Sequence, residues 1–457
     1  MYLLLIAIFV IGYAAIAFEH TINLNKTASA LLTGILCWTV LALAPPTPAV
    51  QEQETYQEYT EHLESTETAE AVQEELDAHH TYVSYIGFSL REHLGEIAEI
   101  LFFLIGAMTI VELIDAHEGF RFITDKINTN SPRPLLWLLS ILTFFMSALL
   151  DNLTTSIVMI SLLRRLVTDT RQRMIFAGLI IIAANAGGAW SPIGDVTTTM
   201  LWIGGQITTL NIIKGVFIPS VVCLLVPLLM LSFQFRNSSL EDTERATSET
   251  PTGSLAMLIT GVSALIFVPI FKTVTHLPPW TGMMLGLGVV WVVSEIINKD
   301  KDEEERHPYT AVHALSKIDV PSVLFFLGIL VAIAALQTAG MLTQLSAYMA
   351  NTIGNLDLIV YAIGLASAVI DNVPLVAATM GMYDMAAFPP DSKLWEFIAY
   401  CAGTGGSVLI IGSAAGVAVM GMEKIDFMWY LRKISLLALA GYTAGALVYL
   451  LLYGLAH

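Results

Sequence analysis

Two stretches of the sequence place an Asp-Asn pair inside apolar residues: SALLDNLTTSIVM, residues 147–159, and ASAVIDNVPLVAAT, residues 366–379. Around them the chain is organised in long apolar blocks, such as 27–44 and 431–452. A helix of about 20 apolar residues crosses the hydrocarbon core of a bilayer. The pattern predicts a chain of membrane-spanning helices that carries two aspartates at membrane depth.

The composition of the whole chain agrees with a membrane protein. Of its 457 residues 55% are hydrophobic and 13% are charged, and the mean hydropathy is +0.69. Soluble proteins carry about 25% charged residues. A soluble chain of this length would form about three domains, and so few charged residues could not cover the surfaces of three domains. A soluble globular protein and a disordered chain are both excluded. We therefore predict an all-α polytopic membrane protein.

The charge distribution excludes a nucleic-acid partner and isolates one acidic segment. The net charge is −18, and residues 51–80 hold ten acids without a Lys or Arg. We interpret this segment as a disordered, solubilising tether that could also concentrate cations. Cys37, Cys223 and Cys401 lie far apart in apolar blocks, which predicts neither a disulfide framework nor a metal site.

The apolar runs predict an ordered series of helices. Their expected positions are 2–18, 27–44, 96–116, 134–149, 153–166, 174–204 (interrupted), 213–234, 254–273, 280–297, 320–340, 355–370, 373–388, 395–422 (interrupted) and 432–453. The first of these lacks a basic leading segment, so we interpret it as a retained helix rather than a signal peptide. The second half of this series has the rhythm of the first.

The sequence contains an internal repeat. Four matches occur in the same order: Leu24–Trp38 with Leu277–Trp291, Leu101–Leu104 with Leu324–Leu327, Asp151-Asn152 with Asp371-Asn372, and Gly187-Gly188 plus Gly194-Asp195 with Gly405-Gly406 plus Gly412-Ser413. The last three matches have nearly the same offset along the chain, and the larger offset of the first reflects the extra segment 45–95. A duplication of this kind is frequent in transporter folds.

The basic residues predict the orientation of the two halves. Lys and Arg accumulate in cytoplasmic loops. We therefore place the N-terminus outside and treat the two Asp-Asn stretches as re-entrant hairpins with short arms. In this topology 17 of the 21 basic residues lie on the cytoplasmic side. The exceptions are Arg91, Lys214, Lys272 and Lys393. The segment 45–95 is then an extracytoplasmic loop. This topology makes 1–234 and 254–457 inverted repeats, each with one re-entrant hairpin and one broken transmembrane helix, joined by a cytoplasmic linker at 235–253.

Three deep acids identify the candidate site: Asp151, Asp371 and Asp195, each beside helix-breaking or small polar residues. Ionisable residues at membrane depth mark function by default, and broken helices supply free carbonyls there. The neighbouring oxygen groups are Asn152, Asn185, Asn372, Thr154, Thr155, Thr197, Thr198, Thr404, Ser407 and Ser413. Such ligands suit hard cations. Because these motifs contain no Lys or Arg, the site suits small alkali cations and protons best. Competition between a cation and a proton for one carboxylate is sufficient for antiport.

The motifs also resemble a known family. The segments ALLTGILCWTVLAL, SALLDNLTTSIVM, ANAGGAWSPIGDVTTTMLW, DNVPLVAATMGMY and GTGGSVLIIGSAAGVAVMG are similar to the NhaD-type sodium/proton antiporters of the ion transporter superfamily. The resemblance implies exchange of Na⁺ or Li⁺ for H⁺ at a bacterial inner membrane, in a homodimer without a resident cofactor. The functional positions that it carries over are Asp151, Asn152, Asn185, Asp195, Thr197, Thr198, Asp371 and Asn372. The acidic segment departs from the family pattern.

Two further hypotheses concern the role of single residues. Na⁺ is expected at Asp151, Asn152, Asp195, Asp371 and Asn372, with Asp195 dominant because the second half has Ser413 in its place. His93, Glu96 and Glu99 are candidates for sensing pH, although a solvated helix end explains them as well.

Other functions stay open at this point. A transporter of the same fold could carry arsenite or a dicarboxylate, and the lack of deep Lys or Arg argues against the second. An intramembrane aspartyl protease is a remote alternative, since the order of its aspartate motifs is reversed here.

Overall fold

The computed structural model describes residues 2–17, 19–45, 47–51, 53–66, 78–121, 131–235 and 253–456. Helices and their connections make up all of these ranges, and no strand occurs within them. Most of the predicted linker 235–253 and residues 67–77 of the acidic segment lie outside the described residues.

The helices follow one another in this order. The first group is α1 (Tyr2–Ala17), α2 (Glu19–Ile22), α3 (Lys26–Leu43), α4 (Pro48–Gln51), α5 (Glu54–Thr66), α6 (Ala78–Ala116), α7 (Pro132–Leu150), α8 (Asn152–Leu166), α9 (Thr170–Ala189), α10 (Val196–Ile203) and α11 (Thr209–Gln234). The second group is α12 (Ser254–Thr275), α13 (Pro279–Ile297), α14 (Glu303–Arg306), a 3₁₀ turn (His307–Tyr309), α15 (Ala311–Lys317), α16 (Val320–Thr338), α17 (Met341–Ile353), α18 (Leu356–Ala366), α19 (Asn372–Met382), α20 (Lys393–Gly405), α21 (Ala414–Glu423), α22 (Phe427–Lys433) and α23 (Ser435–Ala456).

Nine helices in the described part of the chain are long and apolar enough to cross a membrane: α3, α6, α7, α9, α11, α12, α13, α16 and α23. An α-helix rises 1.5 Å per residue, so a span of about 20 residues matches the hydrocarbon core of about 30 Å. The prediction of an all-α polytopic membrane protein is confirmed.

The chain divides into two compact units, each built from both halves of the sequence. The first unit holds 1–101, 319–355 and 377–387. In it α3 packs along α16, with Gly34 against the backbone of Gly328, and the Trp38 indole donates to the Val331 carbonyl at 2.8 Å. Small residues at such a contact allow two helix backbones to approach closely.

The second unit holds 102–318, 356–376 and 388–457, and it contains the candidate site. Here α9 packs on α7, α8, α11 and α20, while α20 packs on α18. Two helices are interrupted where the sequence predicts it, between α9 and α10 and between α20 and α21. Asp195 caps the start of α10 and Ser413 caps the start of α21, since both side chains accept from backbone N–H groups of the following turn.

Within this unit, positions that are matched between the two halves of the sequence make similar contacts. The Ser147 hydroxyl donates to the Ala184 carbonyl at 2.6 Å, and the Ser367 hydroxyl donates to the Ala402 carbonyl at 3.3 Å. A Cβ added at Gly188 would meet the Gly194 carbonyl, as one added at Gly406 would meet the Gly412 carbonyl. These matched positions therefore share contacts as well as residue types.

Several predicted boundaries are wrong. The segment 45–95 is not a loop throughout, because α6 begins at Ala78 rather than at residue 96. The acidic segment is not a disordered tether where α5 forms, since Tyr56 and Tyr59 of α5 pack on Tyr85 of α6 with ring centroids 5.0 and 5.7 Å apart. These aromatic contacts bury surface that the charge pattern alone does not reveal. Helix α17 has no counterpart among the predicted helices.

The hairpin arms differ in length. Helices α18 and α19 have 11 residues each, about 16 Å, which is half of a crossing. Helix α7 has 19 residues, so the prediction of short arms in both hairpins is wrong for this helix. Re-entry of both hairpins stays a prediction.

Substituting the glycines at the helix breaks tests the repeated packing. Gly188→Ala and Gly406→Ala each drive a Cβ against a backbone carbonyl that cannot rotate away, so each should lower stability by about 1–3 kcal/mol. Gly421→Ala in α21 is the matched control, because nothing lies within 4 Å of its added Cβ. Thermal unfolding in detergent measures the effect, and equal midpoints for all three variants would contradict the packing.

Candidate functional site

Asp151 is the junction between α7 and α8. Its backbone has φ 75° and ψ 160°, a region that non-glycine residues seldom occupy and that costs about 1–3 kcal/mol. The side chain is fixed by Thr154, whose backbone N–H donates to Oδ1 and whose hydroxyl donates to Oδ2, both at 2.8 Å. Two local hydrogen bonds thus hold a strained aspartate at the tip of the hairpin.

Asp195 lies at the break between α9 and α10 and is only 2% exposed. Its Oδ1 accepts from the Thr197 backbone N–H at 3.0 Å and from the Thr197 hydroxyl at 2.9 Å. Its Oδ2 accepts from the Asn152 amide at 2.7 Å. All three donors are neutral. The carboxylate is therefore stabilised by neutral hydrogen-bond donors and not by a positively charged side chain among these three donors. A proton or a cation could balance its negative charge.

The amides of Asn152 and Asn185 join the two halves of the chain. Asn152 Nδ2 also donates to Asn185 Oδ1 at 3.0 Å. Asn185 Nδ2 in turn donates to the hydroxyls of Ser407 and Ser413, at 2.8 and 2.9 Å. One buried hydrogen-bond network therefore runs from Thr197 and Asp195 in the first half to Ser407 and Ser413 in the second. Every member is an oxygen or amide group.

The second Asp-Asn pair lies at the start of α19. Asp371 accepts from the Val373 backbone N–H at 3.1 Å, and Asn372 is 5% exposed. Asp371 is therefore held by a local backbone hydrogen bond, as Asp151 is held by those of Thr154. Within the described residues, Asp195 is the one aspartate of the three that is bonded to the amide and hydroxyl network.

Some predicted ligands have other partners. The Thr404 hydroxyl donates to the Tyr400 carbonyl of its own helix at 2.6 Å, and the Thr198 hydroxyl donates to the Ala189 carbonyl at 3.4 Å. His93 and Glu96 belong to the other unit, on α6, where Nδ1 and Oε2 are 3.4 Å apart. Glu99 lies on the same helix. Their role in sensing pH stays a prediction.

Comparison with known proteins identifies the family of the chain. The family model described as "Citrate transporter" (CitMHS) matches residues 3–395, which include both Asp-Asn pairs and the break at Asp195. The chain belongs to the CitMHS family.

Relatives extend over nearly the whole chain. Sodium/proton antiporter 1 of Arabidopsis thaliana is 48% identical over 98% of this chain and 72% of its own length. Sodium/proton antiporter 2 of the same plant is 44% identical over 97% of this chain and 98% of its own. The Na(+)/H(+) antiporter NhaD of Vibrio cholerae is 29% identical, over 97% and 90%. This CitMHS protein is a transporter and not an enzyme.

A buried ion-pair cluster of this transporter was not found from the sequence. The Glu423 side chain, at the end of α21, is fully buried and bridges Arg164 Nε at 2.7 Å and Arg173 Nε at 2.6 Å. It ties the end of α8 and the start of α9 to the broken helix that Ser413 caps. The sequence carries only a weak signal for it, one acid at the end of an apolar run.

Matched substitutions at the two helix breaks test how the halves differ. Asp195→Ser should nearly eliminate transport, because removing a buried charged group from a polar site costs several kcal/mol, of the order of 3–5. Ser413→Ala removes a neutral hydroxyl of about 1 kcal/mol, so it should raise the cation concentration needed for half-maximal transport by about tenfold or less. Initial rates in proteoliposomes over a range of cation concentrations measure both. Equal damage would mean that the two breaks contribute equally.

Proposed function

We propose that this protein exchanges Na⁺ or Li⁺ for H⁺ across the membrane, with Asp195 as the principal ligand for both. The observation that carries the proposal is the buried Asp195 carboxylate, to which only neutral groups of the described residues donate hydrogen bonds. The names of its relatives, sodium/proton antiporters from a plant and from bacteria, support the same activity.

The chemistry of the network favours a hard, small cation. Carboxylate, amide and hydroxyl oxygens are the ligands that alkali cations accept most readily. Asp195 contributes the charge, and Asn152 and Asn185 contribute amides that can turn an oxygen toward an ion. We expect Asp151, Asp371 and Asn372 to add ligands at the two hairpin tips. Thr154 holds the Asp151 carboxylate in place, and Thr197 holds that of Asp195.

Competition between ion and proton follows from burial. A carboxylate surrounded by protein cannot remain charged without a partner. Loss of Na⁺ therefore favours protonation of Asp195, and entry of Na⁺ expels that proton. The protonated carboxyl group and the Na⁺-bound carboxylate of Asp195 are both neutral overall. The site can therefore be desolvated during transport in either state. This exchange is the core of the antiport that we propose.

The family description raises citrate as a second substrate. A citrate ion carries up to three negative charges, and Arg is over-represented where carboxylates are recognised. At this site it would meet the Asp195 carboxylate together with neutral donors. The site therefore favours cations over carboxylate substrates, and citrate is retained as one arm of the test.

We also propose a topology for the chain: inverted repeats at 1–234 and 254–457, with the linker 235–253 in the cytoplasm. The ion pairs from Arg164 and Arg173 to Glu423 support it, since the basic residues predict that all three loop ends lie inside. The N-terminus and the segment 45–95 are then extracytoplasmic. On the resemblance to NhaD-type antiporters we propose a homodimer in a bacterial inner membrane.

Ion exchange in proteoliposomes tests the function. A pH gradient is imposed and followed with a pH-sensitive dye, and Na⁺, Li⁺, K⁺ or citrate is added separately. Na⁺ and Li⁺ should dissipate the gradient, and citrate should not. Asp151→Asn and Asp371→Asn should each abolish the response while the protein stays folded in detergent, because each keeps an oxygen but loses the titratable charge.

The outcomes separate the two substrates. Dissipation by citrate but not by Na⁺ would establish a carboxylate transporter instead. Wild-type rates in both aspartate variants would remove the hairpin aspartates from the mechanism.

A further inference from the structure

Two buried hydroxyls of α8 lack the hydrogen bonds that neighbouring hydroxyls make. Thr155 and Ser156 are fully buried, and neither hydroxyl oxygen has a hydrogen-bond partner among the described residues. Hydroxyls inside helices commonly donate to the carbonyl four residues earlier. Ser161 of the same helix does so to Ile157 at 2.9 Å. Thr155 and Ser156 are therefore exceptions within their own helix.

The position of these hydroxyls relates them to the site. They follow Asn152 by three and four positions, which places all three on one face of α8, one turn apart. Asn152 donates to Asp195 and Asn185. Burying a hydroxyl without a partner costs about 1–3 kcal/mol. Two such hydroxyls, one turn along α8 from Asn152, are open to a ligand other than the described residues.

The second half of the chain lacks this feature. When Asp151-Asn152 is aligned with Asp371-Asn372, the counterparts of Thr155 and Ser156 are Leu375 and Val376, which are apolar. The hydroxyls are therefore not required to build a hairpin of this kind. Their presence in one half alone points to a function in ion handling rather than to packing.

We propose that the hydroxyls of Thr155 and Ser156 form a second, neutral cation subsite that Na⁺ occupies on its path to Asp195. This proposal rests on the Na⁺/H⁺ exchange proposed above. Neutral hydroxyl oxygens replace part of the hydration shell of the ion, and a neutral subsite releases the ion readily to the charged ligand beyond it. The first hairpin then provides a path for Na⁺ that the second hairpin lacks.

The matched control is Thr143→Val on α7. Thr143 is also fully buried, but its hydroxyl donates to the Leu139 carbonyl at 2.6 Å. Thr155→Val makes the same chemical change at an unpartnered hydroxyl, and Ser156→Ala removes its neighbour. The wild-type chain and these variants are compared in full-length form.

Two measurements are made on each protein. Proteoliposome assays give the Na⁺ concentration for half-maximal exchange and the rate at saturating Na⁺, and thermal unfolding in detergent gives Tm in choline chloride and in NaCl. Thr155→Val and Ser156→Ala should raise the half-maximal Na⁺ concentration about three- to tenfold, with little change in the saturating rate. Their Tm in choline should not fall, because no protein hydrogen bond is lost, and NaCl should raise it less than in the wild type. Thr143→Val should keep the wild-type Na⁺ requirement.

The results that overturn the proposal are distinct. If the wild type responds to Na⁺ and both variants keep its half-maximal concentration, the hydroxyls are packing groups and the subsite does not exist. A lower Tm in choline for both variants would likewise assign them a structural bond. If the wild type itself shows neither exchange nor stabilisation by Na⁺, the proposed function fails and the subsite fails with it.

Discussion

The hydrogen bond from Asn152 to Asp195 is the contact on which the rest of the site depends. It spans 2.7 Å between the tip of the first hairpin and the break in the neighbouring helix. Lipid offers no partner to a polar group, so every broken helix at membrane depth must be satisfied within the protein. Here Asn152, Thr197 and Asp195 satisfy the break, and they also hold a carboxylate that receives hydrogen bonds only from neutral groups of the described residues. The residues that satisfy the break are therefore also those that we propose to bind the ion.

The matched positions of the two halves have similar contacts in the framework, and the differences between them bear on the proposed function. Both halves place a small polar cap at the start of the short helix after the break, with glycines that allow the backbones to touch. The two caps differ in charge, since one is Asp195 and the other is Ser413. The hairpins differ as well, since the hydroxyls that follow Asn152 are replaced by apolar side chains after Asn372. Matched contacts thus surround an asymmetric candidate site, which has Asp151 and Asp195 in the first half and Asp371 in the second.

Much of this arrangement could be predicted from the sequence, because the signals for it are local. Contacts between residues that are distant in the sequence could not be predicted. An Asp-Asn pair in apolar sequence, followed by Gly-Gly and Gly-Asp, predicts both the helix breaks and the residues near them, such as Asp195. Thr404 was expected among the ligands, but its hydroxyl bonds to its own helix, a choice of rotamer that spacing does not reveal. Glu423 meets Arg164 and Arg173 from the opposite half of the sequence. The early start of α6 likewise depends on aromatic packing against α5, whose acidic composition predicted a tether.

In the proposed exchange, Na⁺ and H⁺ occupy the same carboxylate in turn. Titration calorimetry of the purified protein with NaCl, in buffers of different ionisation enthalpy, measures the protons released for each Na⁺ bound. Direct competition predicts proton release, together with a Na⁺ affinity that weakens by up to tenfold for each pH unit of acidification. Asp195→Asn should abolish that release. Na⁺ binding without proton release at every pH from about 6 to 9, and with constant affinity, would contradict the account, because two separate sites would then bind the two ions.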